Sequence, residues 1–283
     1  MILSRLALAS FMAFAVPAAA DTSTKPAVAV VSIATLGEVM HLDALFDVLR
    51  DEGLAHGDTM EDDMFPSGGG AAWKAAVGEI YEVRLLRARF NSALRAELAS
   101  HPEAMADAIA FFSSDLGQRV VSLEVEARRA FLDTPTEEAA RVAADDRAST
   151  RDPKVDLIRR MIEAADLLEM NVAGAMSGNL AFMTGMSQTG AYGGAMPEEE
   201  MMADIWAREE QTRADTSSWL YAYLGLAYDP LTEAELQAYI DFAESPAGQR
   251  LNAALFVAFD KVFRQVSFDL GKAAGIAMQG RDI

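Results

Sequence analysis

The stretch Ile240-Asp241-Phe242-Ala243-Glu244-Ser245-Pro246-Ala247-Gly248-Gln249-Arg250-Leu251 joins two helical patterns, and its reading decides the fold. Upstream, Thr232 stands three residues before Glu235, the spacing of a reciprocal capping box. Leu236, Tyr239, Ile240 and Phe242 then fill one helical face. Ser245 is a good cap for the next helix, and Pro246 at its first position loses no hydrogen bond there. Beyond the corner, Leu251, Leu255, Phe259, Val262, Phe263, Val266 and Leu270 recur as a core-facing stripe.

The same corner occurs twice. Ile109-Ala110-Phe111-Phe112-Ser113-Ser114-Asp115-Leu116-Gly117-Gln118-Arg119-Val120 aligns with it without a gap at a constant offset of 131 residues. Isoleucine, phenylalanine, serine and the whole Gly-Gln-Arg unit are identical, which points to an internal duplication. Each copy reads as a tight helix–helix corner capped by Ser114 or Ser245. Gly117 or Gly248 would allow close packing at the start of the second helix. Gln118 and Gln249, with Arg119 and Arg250, are placed to tie each corner to carbonyls or a nearby acid. A pair of ligand sites across a pseudo-twofold is the sharper alternative.

Working outward, the chain reads as all-α, two tandem related helical modules over residues 21–150 and 151–283. The spacing predicts a first helix over Leu36–Leu49, ended by Gly53, Gly57 and the polar run Asp58–Asp63. Pro66 and Gly68-Gly69-Gly70 mark a connection, and one long helix is expected over Ala72–Leu98. Helices follow at Glu103–Phe112, Asp115–Leu132 and after Thr134-Pro135, with Asp145–Pro153 as the boundary between modules. The second module opens with a helix over Val155–Phe182, then a loop over Gly185–Pro197. Helical composition returns over Glu198–Ala227, with an interruption around Asp215–Ser218.

The first twenty residues form a secretory signal pattern. Arg5 supplies the positive end, Leu6–Val16 the apolar core, and Ala18-Ala19-Ala20 a cleavage site before Asp21. The run is shorter than the roughly 20 residues that span a bilayer. The expected location is therefore periplasmic, after cleavage. Val28–Val31 is taken as a lead into the first helix.

In 283 residues there are 43 acidic and 24 basic side chains, three histidines and no cysteine. Disulfides, thiolate metal sites and cysteine nucleophiles are excluded. A net charge of −19 opposes broad binding to nucleic acid or anionic lipid.

The Thr232–Phe242 segment followed by Ser245-Pro246-Ala247-Gly248-Gln249-Arg250-Leu251 resembles the bacterial exported helical family DUF2059. The clear resemblance covers about residues 232–272, with a degenerate copy around Met105–Phe131. It departs from the family pattern at Ala243, where an aromatic is common, and at Asp115, which replaces proline in the first copy. The resemblance implies an all-helical periplasmic protein and lends no catalytic residue.

Chemical motifs are scarce. His41, His56 and His101 make no i,i+4 pair, and no zincin, phosphate-loop or nucleophile-elbow pattern occurs. Asp58, Asp62 and Asp63 are the weak candidates for calcium, but they lack the EF-hand periodicity and read as a solvated turn. Glu198-Glu199-Glu200 reads as the negative start of a helix. Met176, Met183, Met186, Met196, Met201 and Met202 cluster around the glycine-rich segment. Thioethers suit copper(I), but more often they pack irregular helical cores or adaptable apolar surfaces. Met176, Met183, Trp206, Trp219 and Tyr223 form a candidate ligand groove, although Trp219 and Tyr223 also suit one buried helical face. No cofactor is expected. The leading expectation is a binding or interaction protein whose partner is an envelope protein or a small apolar ligand. The alternatives are a hydrolase with carboxylates that converge only in the fold, and a carrier of a small apolar ligand.

Overall fold

The computed structural model describes residues 32–65, 69–194 and 196–280; the signal pattern, Val28–Val31, Pro66 and Gly68 lie outside the described residues. The fold is all-α. In chain order the helices are α1 Ile33–Val39, α2 Leu42–Met64, α3 Gly70–Ile80, α4 Val83–Leu98, α5 Pro102–Phe112, α6 Asp115–Ala130 and α7 Thr134–Thr150. They continue as α8 Pro153–Ala164, α9 Leu167–Thr189, α10 Glu198–Trp206, α11 Glu209–Ala227, α12 Glu233–Ala243 and α13 Pro246–Met278.

The helix α13 runs through the centre, buried along Leu251, Leu255, Phe259, Val262, Val266 and Leu270. Phe46 of α2, Phe90 of α4 and Phe259 of α13 meet with ring centroids 4.6–6.0 Å apart. One continuous core therefore draws on both halves of the chain. The charged segment Asp145–Pro153 does not open a gap between them. The helix α7 continues to Thr150, Arg151 turns in the left-handed region, and Asp152 caps α8 by accepting from Lys154 N–H at 2.9 Å.

The corners are as tight as their sequences suggest. Ser114 Oγ accepts from Gly117 N–H at 3.1 Å, and Ser245 Oγ accepts from Gly248 N–H at 3.0 Å. The capping box at α12 is complete: Thr232 Oγ1 accepts from Glu235 N–H at 3.2 Å, and Glu235 Oε2 accepts from Thr232 N–H at 2.7 Å. Replacing Thr232→Ala is expected to lower the unfolding free energy by about 1 kcal/mol. Chemical denaturation at pH 7 measures this; an unchanged midpoint would mean that packing alone holds the start of α12.

Several expected boundaries move, each for a physical reason. The first helix is broken at His41, which adopts the left-handed region (φ 50°) and whose Nε2 lies 2.9 Å from Gln118 Oε1. Gly53, Gly57 and Asp58–Asp63 do not end a helix; they lie inside α2. A Cβ on Gly53 would fall 2.2 Å from the Tyr81 ring, and one on Gly57 would fall 2.6 Å from Val77, so these glycines admit α3 rather than break α2. The expected 72–98 helix is two helices, because Glu82 caps α4 by accepting from Leu85 N–H at 3.0 Å. Asp166 (φ 50°) separates α8 from α9 inside the expected Val155–Phe182 helix. Gly185 belongs to α9, not to a loop, and the break in 198–227 falls at Ala207-Arg208 rather than at Asp215–Ser218.

The seam between α9 and α13 explains Gly185. The two helices run parallel: Asn252 donates to Ala165 O at 2.7 Å at one end, and Gln279 donates to Thr189 O at 2.9 Å at the other. Between these ends, Gly185 and Gly271 let each backbone lie against the other. This seam fixes the face of α9 that points away from α13, where the cleft described next is found.

Candidate ligand-binding cleft

A cleft of about 400 Å³ lies between α9, α10 and α11, with Met64 at the end of α2 completing one wall. That volume is within the range that takes small organic ligands. Phe182 and Met186 of α9 and Ile205 of α10 are buried and form its floor. Met64, Met183 and Met196 are half-buried and bring thioethers to the walls. Unbranched thioether side chains adapt to a guest's shape at little strain, which suits an apolar pocket.

Local sequence places these residues. Gly190 in the left-handed region (φ 81°) ends α9, and Ser187 Oγ accepts from Met196 N–H at 2.9 Å, which pins the returning loop. Pro197 then leads into α10, whose first turn carries Glu198, Glu199 and Glu200 where the helix dipole favours negative charge. Tyr192, at the mouth, donates its hydroxyl to Met186 Sδ at 3.6 Å. Burial, and secondarily the Asp204 carboxylate, push that phenol above its ordinary pKa.

The rim is polar. Asp204 faces Arg208 at 3.7 Å, and Gln211 Nε2 donates to Asp215 Oδ1 at 2.7 Å. Asn179 and Thr212 complete the polar part of the lining.

Of the groove residues expected from sequence, Met183 lines this cleft and Met186 and Met196 join it. Trp206 points outward, 61% exposed. Trp219 and Tyr223 stack on each other at 4.7 Å and against Phe131, within the core. Met176, on α9, is not among the residues lining the cleft. Asp58 approaches Lys74 at 3.4 Å, and Asp62 and Asp63 are exposed on α2, so the segment read as a turn is helical. Among the described residues, no group of three or more His, Asp or Glu side chains is arranged to hold a metal ion.

The two corners differ in what they hold. A Cβ on Gly117 would fall 2.3 Å from Phe111 O, which accounts for the glycine. Gln118 donates to Val39 O at 2.8 Å and to Phe112 O, while Arg119 donates to Pro230 O at 2.6 Å and pairs with Glu235. Gln249 and Arg250 are exposed, and their side chains form no hydrogen bond or ion pair among the described residues. Arg250 instead edges an open hollow beside Ser100–Ala104.

A second polar centre, which the sequence reading does not single out, is sealed in the core. Glu124 is 3% exposed; Tyr228 and Tyr239 each donate to its Oε1 at 2.6 Å, and Tyr223 donates to its backbone carbonyl at 2.9 Å. Burial raises its pKa to about 8, and the two phenol hydrogen bonds only partly oppose that rise. One turn on, Arg128 Nε and Nη2 each reach a different Glu52 oxygen at 2.8 Å, and its guanidinium lies 5.9 Å from the Trp219 ring centroid. Perturbed carboxyls often mark active sites, but this one is enclosed by tyrosines. Its role is to join α6 to α11 and α12. The legible signal is positional: Glu124 and Arg128 occupy core positions of the Val120, Val121, Val125 stripe.

Residues 92–146 match the model of DUF2059, described as an uncharacterised protein family conserved in bacteria. The matched segment runs from α4 through the first corner into α7. It thus falls on the copy read from sequence as the degenerate one. No curated protein and no solved structure matches the chain.

Proposed function

We propose that this protein is exported and binds a small, largely apolar molecule in the cleft between α9, α10 and α11, on a scaffold made from a duplicated hairpin. The observation that carries the binding reading is the cleft's floor of Phe182, Met186 and Ile205 beneath the thioethers of Met64, Met183 and Met196. Export is supported by the signal pattern of residues 1–20. The duplication is supported by helix limits that keep the sequence offset. The helix α5 spans 102–112 and α12 spans 233–243, while α6 starts at 115 and α13 at 246. Phe111 and Phe242, equivalent positions of the two copies, stack on each other at 5.0 Å, as residues beside a local twofold would.

The test is saturable binding of a neutral apolar fluorophore, N-phenyl-1-naphthylamine. One molecule per chain is expected. Met183→Trp, which fills a half-buried wall, is expected to weaken binding by about tenfold or more while leaving the melting midpoint within a few degrees. Equal binding by the variant would place the fluorophore elsewhere.

A further inference from the structure

The cleft's charge pattern narrows the class of ligand, on the premise that the cleft is a binding site. We infer that its guest is a cationic amphiphile: an alkylammonium or hydrophobic amine whose chain lies on the thioether floor and whose head sits between Asp204, Asp215 and the Tyr192 ring.

Three observations lead there. First, the lining holds two carboxylates and a single cation, Arg208. That cation already faces Asp204 across an exposed 3.7 Å gap. Asp215 is half-buried and is held by the neutral amide of Gln211, with no cationic partner among the described residues. Its charge is therefore unbalanced at the mouth of an apolar cavity, where an ammonium group would balance it. Second, the surfaces beside the carboxylates are polarizable. Tyr192 stands at the mouth with its hydroxyl on Met186 sulfur, and Phe182 lies beneath. Aromatic faces attract ammonium groups, most of all alkylated ones that shed water easily. Third, the whole chain carries a net charge of −19, which draws cations toward it and repels anions. An anionic head would meet two carboxylates and an arginine already engaged. A neutral head would leave Asp215 uncompensated.

The experiment is competition against N-phenyl-1-naphthylamine by decyltrimethylammonium, decyl maltoside and decyl sulfate, all below their micelle concentrations. The shared chain isolates the head group. Decyltrimethylammonium is expected to displace the fluorophore at a concentration about tenfold or more below that of decyl sulfate, with the advantage shrinking as salt rises. Asp215→Asn should reduce this cation-to-anion ratio to about threefold or less. Glu210→Gln makes the same charge change on α11 outside the cleft and should leave the ratio intact. If the fluorophore binds but decyl sulfate competes as well as the cation, or if both variants lower the ratio equally, the cationic class is overturned and the apolar cleft stands. If the fluorophore does not bind at all, the binding reading falls and this inference falls with it.

Discussion

Gly271→Ala should destabilise the protein by about 2–4 kcal/mol, although alanine is the better helix former. A Cβ at this position would lie 2.0 Å from Phe182 O and 2.8 Å from Phe182 C. Those are backbone atoms of the neighbouring helix, so no side chain can rotate away; α9 or α13 must move. Gly185 is the reciprocal position, with a Cβ at 2.2 Å from Phe268 O and 2.8 Å from Lys272 N, and Gly185→Ala should behave alike. Gly174 provides the control on the same helix. A Cβ there would meet nothing within 4 Å, so Gly174→Ala should stabilise by about 0.5–1 kcal/mol through helix propensity. Urea denaturation of the three variants reads both signs. If Gly271→Ala and Gly174→Ala shift the midpoint in the same direction, the close α9–α13 approach is not what holds the centre together. Because Phe182 also floors the cleft, a displaced seam should weaken binding of the neutral fluorophore as well.

The helical class was legible because its signals are local. A capping box at Thr232, a Ser-Pro start at Ser245 and the stripe from Leu251 to Leu270 need no knowledge of distant residues. Glycine was where local reading failed. Gly53, Gly57 and Gly185 look like breakers, yet each sits within a helix and admits a neighbour that is far away in sequence: Tyr81, Val77 or Phe268. Composition cannot distinguish a glycine that ends a helix from one that lets another helix approach. The opposite error occurred at Tyr81-Glu82, where a two-residue kink leaves the apolar period nearly in phase and so hides the break. Of the methionine cluster, Met183, Met186 and Met196 meet at the cleft because its main wall is one helix and the loop after it, whereas Met176, Met201 and Met202 do not line it. Asp204, Asp215 and Met64 could not be joined to that wall without the fold. Trp219 and Tyr223 went to the core face that their spacing also allowed.

The two similar segments differ physically beyond the corner. At the constant offset, Glu124 and Arg128 of α6 correspond to Leu255 and Phe259 of α13. The second copy fills these positions with apolar side chains buried in the central core. The first fills them with a carboxyl held by tyrosines and a guanidinium paired to Glu52. An acid and a base on an apolar face, aligned at that offset with leucine and phenylalanine, form a sequence signal for a buried polar centre. A pairwise comparison along the repeat beyond the corner exposes it.

That buried centre makes stability depend on pH in a direction opposite to the usual salt-bridged carboxylate. Glu124 has a folded pKa of about 8 against an ordinary value of 4.5, with burial as the main cause. Between those values the folded chain keeps a proton that the unfolded chain has lost. Unfolding then releases a proton, so raising the pH favours the unfolded state. Stability from this group is complete below pH 4.5, falls by about 1.4 kcal/mol per unit inside the window, and levels off above pH 8. In Glu124→Gln the amide oxygen can still accept from Tyr228 and Tyr239, but nothing ionises. The variant should be slightly less stable at pH 4.5, because its extra N–H needs a partner, and more stable at pH 8.5, by about 2–3 kcal/mol. The two stability–pH curves should therefore cross. Every other group is common to both proteins, so the difference between curves isolates Glu124. Denaturation midpoints at half-unit steps from pH 4.5 to 9, with unchanged m-values, measure it. Parallel curves would mean that Glu124 is ionised in the fold, and that the tyrosine hydroxyls stabilise a buried carboxylate rather than a neutral acid.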